Sequence, residues 1–184
     1  MSCCGNVHHD DQKDLIEQPL SYNDLTRREV RSLIFHLLYA IDCFDYDTSL
    51  EAVAENFNRG FDLAIPTDSE VFTVAAKIVK TRAELDEAIK PLLHNWRFDR
   101  IGVCTKLILR LALWELNNTQ TSASIVMNEA IELAKCFAEK DAYKFVNGIL
   151  DEAVKKMGRE AEMEAKADEE AAEQKKETNT KKSK

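Results

Sequence analysis

Between Ile101 and Leu116 the apolar positions leave almost no polar side to a helix. Ile101, Cys104, Leu107, Ile108, Leu111, Ala112, Glu115 and Leu116 recur with a 3.6-residue period, and Leu109, Leu113 and Trp114 are apolar on the remaining sides. A helix of this kind has to be surrounded by other elements. It is too short to span a bilayer and is interrupted by Arg110 and Glu115, so it predicts the central helix of an all-helical core, not a membrane segment. The two charged residues are expected where that helix reaches the surface.

The rest of the chain carries the same helical period in pieces. Asn23 or Asp24 can cap a first helix running to about Asp42, with Val30, Leu33, Ile34, Leu37, Leu38 and Ile41 as its core stripe. Thr48, with Glu51 three residues on, suggests a capping box for a second helix bearing Leu50, Val53, Ala54 and Phe57. Asp68 or Ser69 caps a third, with Val71, Phe72, Val74, Ala75 and Ile78. Thr81 with Glu84 repeats the cap signal and predicts a break before the run Leu85, Ala88, Ile89, Leu92, which Pro91 should kink or end. Trp96 and Phe98 are expected to anchor the link into the central helix. A polar loop, Thr119 to Ser122, precedes a helix with Val126, Ala130, Leu133, Ala134 and Phe137. The last packed helix begins near Asp141 and carries Phe145, Val146, Ile149, Leu150, Ala153, Val154 and Met157, with Gly148 in its middle. Either a close helix–helix approach or simple tolerance accounts for that glycine, which costs about 1 kcal/mol relative to alanine. The expectation is an all-α protein of about seven helices: a flexible leader over 1–23, a helical domain over 24–157, and a charged tail over 158–184 that has nothing to bury.

Composition narrows the picture. Five glycines and three prolines leave little turn chemistry for a sheet protein, and a formal charge of −8 argues against wholesale electrostatic binding of nucleic acid while allowing a local basic patch. The five cysteines are odd in number and scattered, and Cys43, Cys104 and Cys136 fall in helical patterns where a free thiol behaves as a small apolar group. With no apolar secretory signal, a reducing cytoplasm is the natural compartment. Cys3, Cys4, His8 and His9 are zinc-ligand types, but their spacing fits no closed tetrahedral site and no fold is expected to hold one. Phosphate loops, nucleophile elbows and His/carboxylate sets at metal spacing are absent, so neither catalysis nor a cofactor is expected.

Two groups of polar residues remain. Arg27, Arg31, Phe35 and Tyr39 form a second stripe at i, i+4 spacing beside the first helix's core stripe, with Arg28 nearby. The stripe reads as a solvated face with two aromatics against a neighbour. The sharper reading is a strip for single-stranded nucleic acid, guanidinium groups on phosphates and rings under bases, but the stripe alone favours the solvated face, since three arginines are common on any helix. Around the last two helices lie Asn128, Glu129, Asp141, Lys144 and Asn147. The two amides adjoin apolar positions and are expected to bridge the core, and Asp141 is most economically an N-cap.

These residues also carry a resemblance. Val126-Met-Asn-Glu-Ala-Ile-Glu-Leu-Ala-Lys135 followed by Asp141-Ala-Tyr-Lys-Phe-Val-Asn-Gly-Ile-Leu-Asp151 resembles the C-terminal signature of the NusB transcription antitermination factors. Leu109-Arg-Leu-Ala-Leu-Trp-Glu-Leu116 is similar to the family's preceding helix, and Arg27-Arg28-Glu-Val-Arg31 through Tyr39 to its N-terminal arginine-rich helix. The resemblance implies two helical subdomains, the first three helices packed on the later four, and no enzymatic activity. It further implies binding of boxA-type single-stranded RNA together with NusE, a small-subunit ribosomal protein, and action on the RNA polymerase elongation complex against premature termination in ribosomal RNA operons. On this reading Arg27, Arg28, Arg31, Phe35, Asp141, Lys144 and Phe145 face RNA, while Tyr39, Glu115 and Asp141 face NusE. Glu29 interrupts the arginine run where the family often has another basic residue. A helical protein–protein adaptor without direct RNA binding is the alternative.

Overall fold

The computed structural model describes residues 22–61, 65–94 and 96–159, so the Cys/His leader and most of the charged tail lie outside the described residues. Seven α-helices follow one another: α1 (Arg27–Cys43), α2 (Leu50–Phe61), α3 (Glu70–Lys80), α4 (Arg82–Ile89), α5 (Val103–Asn118), α6 (Ala123–Phe137) and α7 (Ala142–Lys156). Short 3₁₀ turns cover Tyr22–Asp24, Lys90–Leu92 and Phe98–Arg100, and there is no strand among the described residues. The all-helical expectation holds. The chain divides inside α3, after Lys77, into two compact units.

In the first unit, α1 packs on α2. Asn23 and Asp24 lie in the preceding 3₁₀ turn, and the cap of α1 is Thr26 instead. Thr26 and Glu29 form a reciprocal capping box: the Thr26 hydroxyl accepts from the Glu29 amide at 3.3 Å, and the Glu29 carboxylate accepts from the Thr26 amide at 2.7 Å. The residue that interrupts the arginine run therefore starts the helix. Hydrogen bonds from the Thr26 side chain and then its amide hold the Glu29 carboxyl below its usual range. Ile34, Leu37, Leu38 and Ile41 are buried as expected, whereas Val30 and Leu33 at the stripe's edge are half-buried. The α2 cap is Ser49, one residue later than Thr48, because its hydroxyl is placed to accept from the Ala52 amide at 3.2 Å. Asn58 ties α2 to Ile65, bonding both its amide (2.9 Å) and its carbonyl (3.0 Å). Ser69, not Asp68, caps α3, accepting from Phe72 at 3.2 Å.

The second unit is built around α5. Thr105 and every residue from Leu107 to Trp114 are buried, as is Leu116, and α4, α6 and α7 all pack against this helix. Arg110 departs from expectation. It is buried with α5's apolar residues and forms a two-point ion pair with Asp86 of α4, Nε to Oδ1 at 2.7 Å and Nη2 to Oδ2 at 2.9 Å. The break at Thr81 is present, but the Thr81 side chain makes no cap bond, and α4 ends one residue before the 3₁₀ turn that contains Pro91. Trp96 is 61% exposed and anchors nothing in the core. Asn128 and Asn147 are exposed and do not bridge the core, because each lies just off the apolar stripe of its helix. Cys43 and Cys136 are likewise exposed, and among the described cysteines only Cys104 is even half-buried. Gly148 faces open space, with nothing within 4 Å of where a Cβ would be, so no close helix approach explains it. Beyond α7, Arg159 donates to the carbonyls of Leu116 (2.6 Å) and Thr121 (3.1 Å), joining the end of α7 to the turn between α5 and α6.

Candidate nucleic-acid interface

In the first unit the anticipated stripe splits by depth. Arg27 and Arg28 open α1 and are exposed; Arg31, one turn on, is 9% exposed and Phe35 only 3%. Phe35 lies stacked against Tyr39 at a ring distance of 6.3 Å, and Tyr39 is 43% exposed. Only the first and last members of the stripe thus present much surface to a ligand. Arg27 is also engaged, donating to both carboxylate oxygens of Glu70 at 3.0 and 2.9 Å. That pair is well exposed, and surface pairs contribute only about 0–1 kcal/mol, so a phosphate can displace it at small cost.

In the second unit Asp141, Lys144 and Phe145 come together at the start of α7. Asp141 occupies the N-cap position but does not cap: its backbone is left-handed (φ 67°, ψ 0°) and its side chain makes no cap hydrogen bond. The carboxylate instead meets the Lys144 ammonium at 2.9 Å, and that hydrogen bond, followed by the charge itself, raises the lysine's pKa. Left-handed backbone favours glycine, asparagine and aspartate, which accounts for the residue type without any capping role. Glu115, half-buried near the end of α5, accepts from the Thr119 hydroxyl through its carbonyl at 2.9 Å.

Asp141 and Phe145 line a cleft of about 370 Å³ whose other walls the sequence reading missed: Trp96, Arg100, Thr105, Glu139 and Lys140 among them. Trp96 meets Phe145 edge-on, with ring centroids 5.5 Å apart. The Thr105 hydroxyl donates to Glu139 Oε2 at 3.1 Å, drawing the loop between α6 and α7 onto the start of α5. A signal was available in Trp96-Arg97-Phe98, where aromatic and basic residues alternate, with Arg100 two residues further on. That alternation belongs to nucleic-acid surfaces as readily as to a packed linker. Exposed rings beside cations can hold the bases and phosphates of a single strand.

The NusB family model matches residues 28–155. A transcription antitermination protein NusB from Geotalea uraniireducens is 37% identical over 134 residues, covering 69% of this chain and 92% of that protein. A namesake from Staphylococcus aureus is 36% identical over 128 residues, covering 68% and 96%. Among solved structures, T. maritima NusB aligns with a TM-score of 0.63 at 27% identity, over 76% of this chain and 98% of that one. A chain in the crystal structure of a plectonemic RNA supercoil aligns with a TM-score of 0.62 at 25% identity, over 71% and 95%.

Proposed function

The chain belongs to the NusB family, and on that premise we propose that it is a transcription antitermination factor that binds boxA-type single-stranded RNA together with NusE. Loaded onto the RNA polymerase elongation complex, it would suppress premature termination in ribosomal RNA operons from the cytoplasm. The observation that carries this reading is the family match across 28–155, to relatives named as transcription antitermination proteins. The surface chemistry supports it. Arg27 and Arg28 offer guanidinium groups at the open end of α1, and Lys144 and Phe145 offer a cation and a ring at the open end of α7. Arg31 and Phe35 enter this reading as supports behind the exposed arginines. Tyr39, Glu115 and Asp141 are the residues proposed to face NusE.

The adaptor reading has its own support. Arg27 is already paired with Glu70, Arg31 is buried, and the chain carries a net charge of −8. One titration separates the two. Binding of a labelled boxA-type oligoribonucleotide is measured by anisotropy over a range of salt concentrations, with and without NusE. The RNA reading expects Arg27→Ala and Arg28→Ala each to weaken binding and flatten the log–log salt slope by about 0.7, the share of one phosphate on a single strand. NusE binding without any RNA affinity, in either arm, would leave the adaptor.

A further inference from the structure

We infer that the cleft between the start of α5 and the start of α7 is a pocket for one unstacked nucleobase, with Trp96 as its platform and Glu139 as the group that reads the base edge. The inference rests on the RNA reading above and specifies a ligand for this part of the surface. Three observations lead to it. Trp96 is 61% exposed although its indole is the largest apolar group in the cleft, and its contact with Phe145 is edge-to-face, which leaves ring surface uncovered. Flat aromatic surface of this kind takes a base of any identity by stacking. Arg100 and Lys140 stand at the same cleft, so a phosphate attached to that base finds cations within the site.

The third observation decides among ligands. Two carboxylates, Glu139 and Asp141, share the cleft with those cations. They disfavour a simple anion or an acidic peptide, but they accept hydrogen bonds from N–H groups on a base edge. Asp141 is paired with the Lys144 ammonium through Oδ1 at 2.9 Å, whereas Glu139 meets only the Thr105 hydroxyl, through Oε2 at 3.1 Å, which leaves Glu139 as the carboxylate not neutralised by a cation and with acceptor capacity to spare. Its position depends on Gly102. The Glu139 carboxylate fills the space where a Cβ on residue 102 would lie. The Gly102 backbone (φ −58°, ψ 150°) suits any residue, so the glycine is required by space and not by conformation. Adenine, cytosine and guanine present an exocyclic amine with two N–H donors to this acceptor, whereas uracil presents the single N–H of its ring N3.

The test uses the full chain, with fluorescence anisotropy against labelled oligo(rA), oligo(rC) and oligo(rU) at one salt concentration. Trp96→Ala should weaken binding by about 5- to 150-fold, the loss of one base–aromatic stack, and Trp96→Phe should restore most of it. The wild type should prefer the two amine-bearing oligomers over oligo(rU). Glu139→Gln should collapse that preference, and so should Gly102→Ala, which keeps the carboxylate but displaces it. Unchanged helical circular dichroism checks that the variants are folded. If Trp96→Ala binds within twofold of the wild type while Arg27→Ala and Arg28→Ala bind weakly, the pocket is overturned and the RNA reading stands. If Trp96→Ala weakens binding but Glu139→Gln leaves the base preference intact, the edge-reading role is overturned. If the wild type binds none of the oligomers, with or without NusE, this inference is overturned, and the boxA titration decides the RNA reading separately.

Discussion

Removing Asp86 tests how the second unit holds its one buried arginine. Arg110 sits on the helix that every other helix of the unit packs against, and its side chain retains 10% of its exposure, against 19% for Asp86. Two parallel bonds of 2.7 and 2.9 Å engage both carboxylate oxygens and one edge of the guanidinium. Asp86→Ala removes the two-point acceptor from a buried cation that cannot lose its proton. Breaking a buried pair from one side costs about 3–5 kcal/mol, and because a fifth of Asp86 remains in water we expect the low end, about 3 kcal/mol. Removing both charges is a different perturbation. Asp86→Leu with Arg110→Met takes away the desolvation cost together with the attraction, and should fall within about 1 kcal/mol of the wild type. Urea unfolding followed by the helical circular dichroism signal gives both numbers, provided the m-value stays constant across the variants. A loss below about 1 kcal/mol for Asp86→Ala, or a double variant as damaged as the single one, would refute the assignment of this pair as a buried, mutually dependent unit.

Two further outcomes follow from local geometry. Gly148→Ala should stabilise the protein by about 0.4–1 kcal/mol in the same urea assay, because the site is exposed, helical and open around the missing Cβ; a destabilised variant would contradict that openness. Thr26→Ala should cost about 0.5–2 kcal/mol through loss of the α1 capping box. The partner carboxyl of Glu29 has its folded pKa below the ordinary 4.5, so its contribution is complete above that value and is lost as pH falls through the lowered one. Amide exchange at the first turn of α1, compared with mid-helix at matched intrinsic rates, should therefore show less protection in acid, and greater protection there would reverse the sign of the argument.

The helices were legible because burial has a period. Leu107 to Leu116 could only be a surrounded helix, and the stripe of α1 from Ile34 to Ile41 falls where the 3.6-residue pattern puts it. Caps were less legible because they depend on a single hydroxyl direction. Thr26-Arg-Arg-Glu29 has the same T-x-x-E form as Thr48-Ser-Leu-Glu51 and Thr81-Arg-Ala-Glu84, yet of the three threonines only Thr26 has its capping box described, Ser49 serving α2 and Thr81 making no cap bond. Periodicity also cannot see a partner from another helix. Arg110 looked like a surface residue because Asp86 is 24 positions away. Among candidate site residues, the cations at the starts of α1 and α7 could be picked out from type and position. The depth of Arg31 and Phe35 could not, since i, i+4 spacing sets a face but not what covers it. Trp96 was misread for a related reason. An indole beside a phenylalanine in a linker has the composition of an anchor, and only its exposure distinguishes it from one.

Arg159 has a consequence for how the second unit opens. The last carbonyls of a helix have no partner within it, and the guanidinium supplies one for Leu116 in the final turn of α5 while holding the Thr121 carbonyl across the turn. Helix ends ordinarily fray independently, at free energies close to zero. Here the end of α7 cannot unwind past Arg159 without also releasing the α5–α6 turn, so two ends that are 43 residues apart in sequence, Leu116 and Arg159, share one opening event. The boundary of the cooperative unit is thereby set by a side chain lying outside any helix.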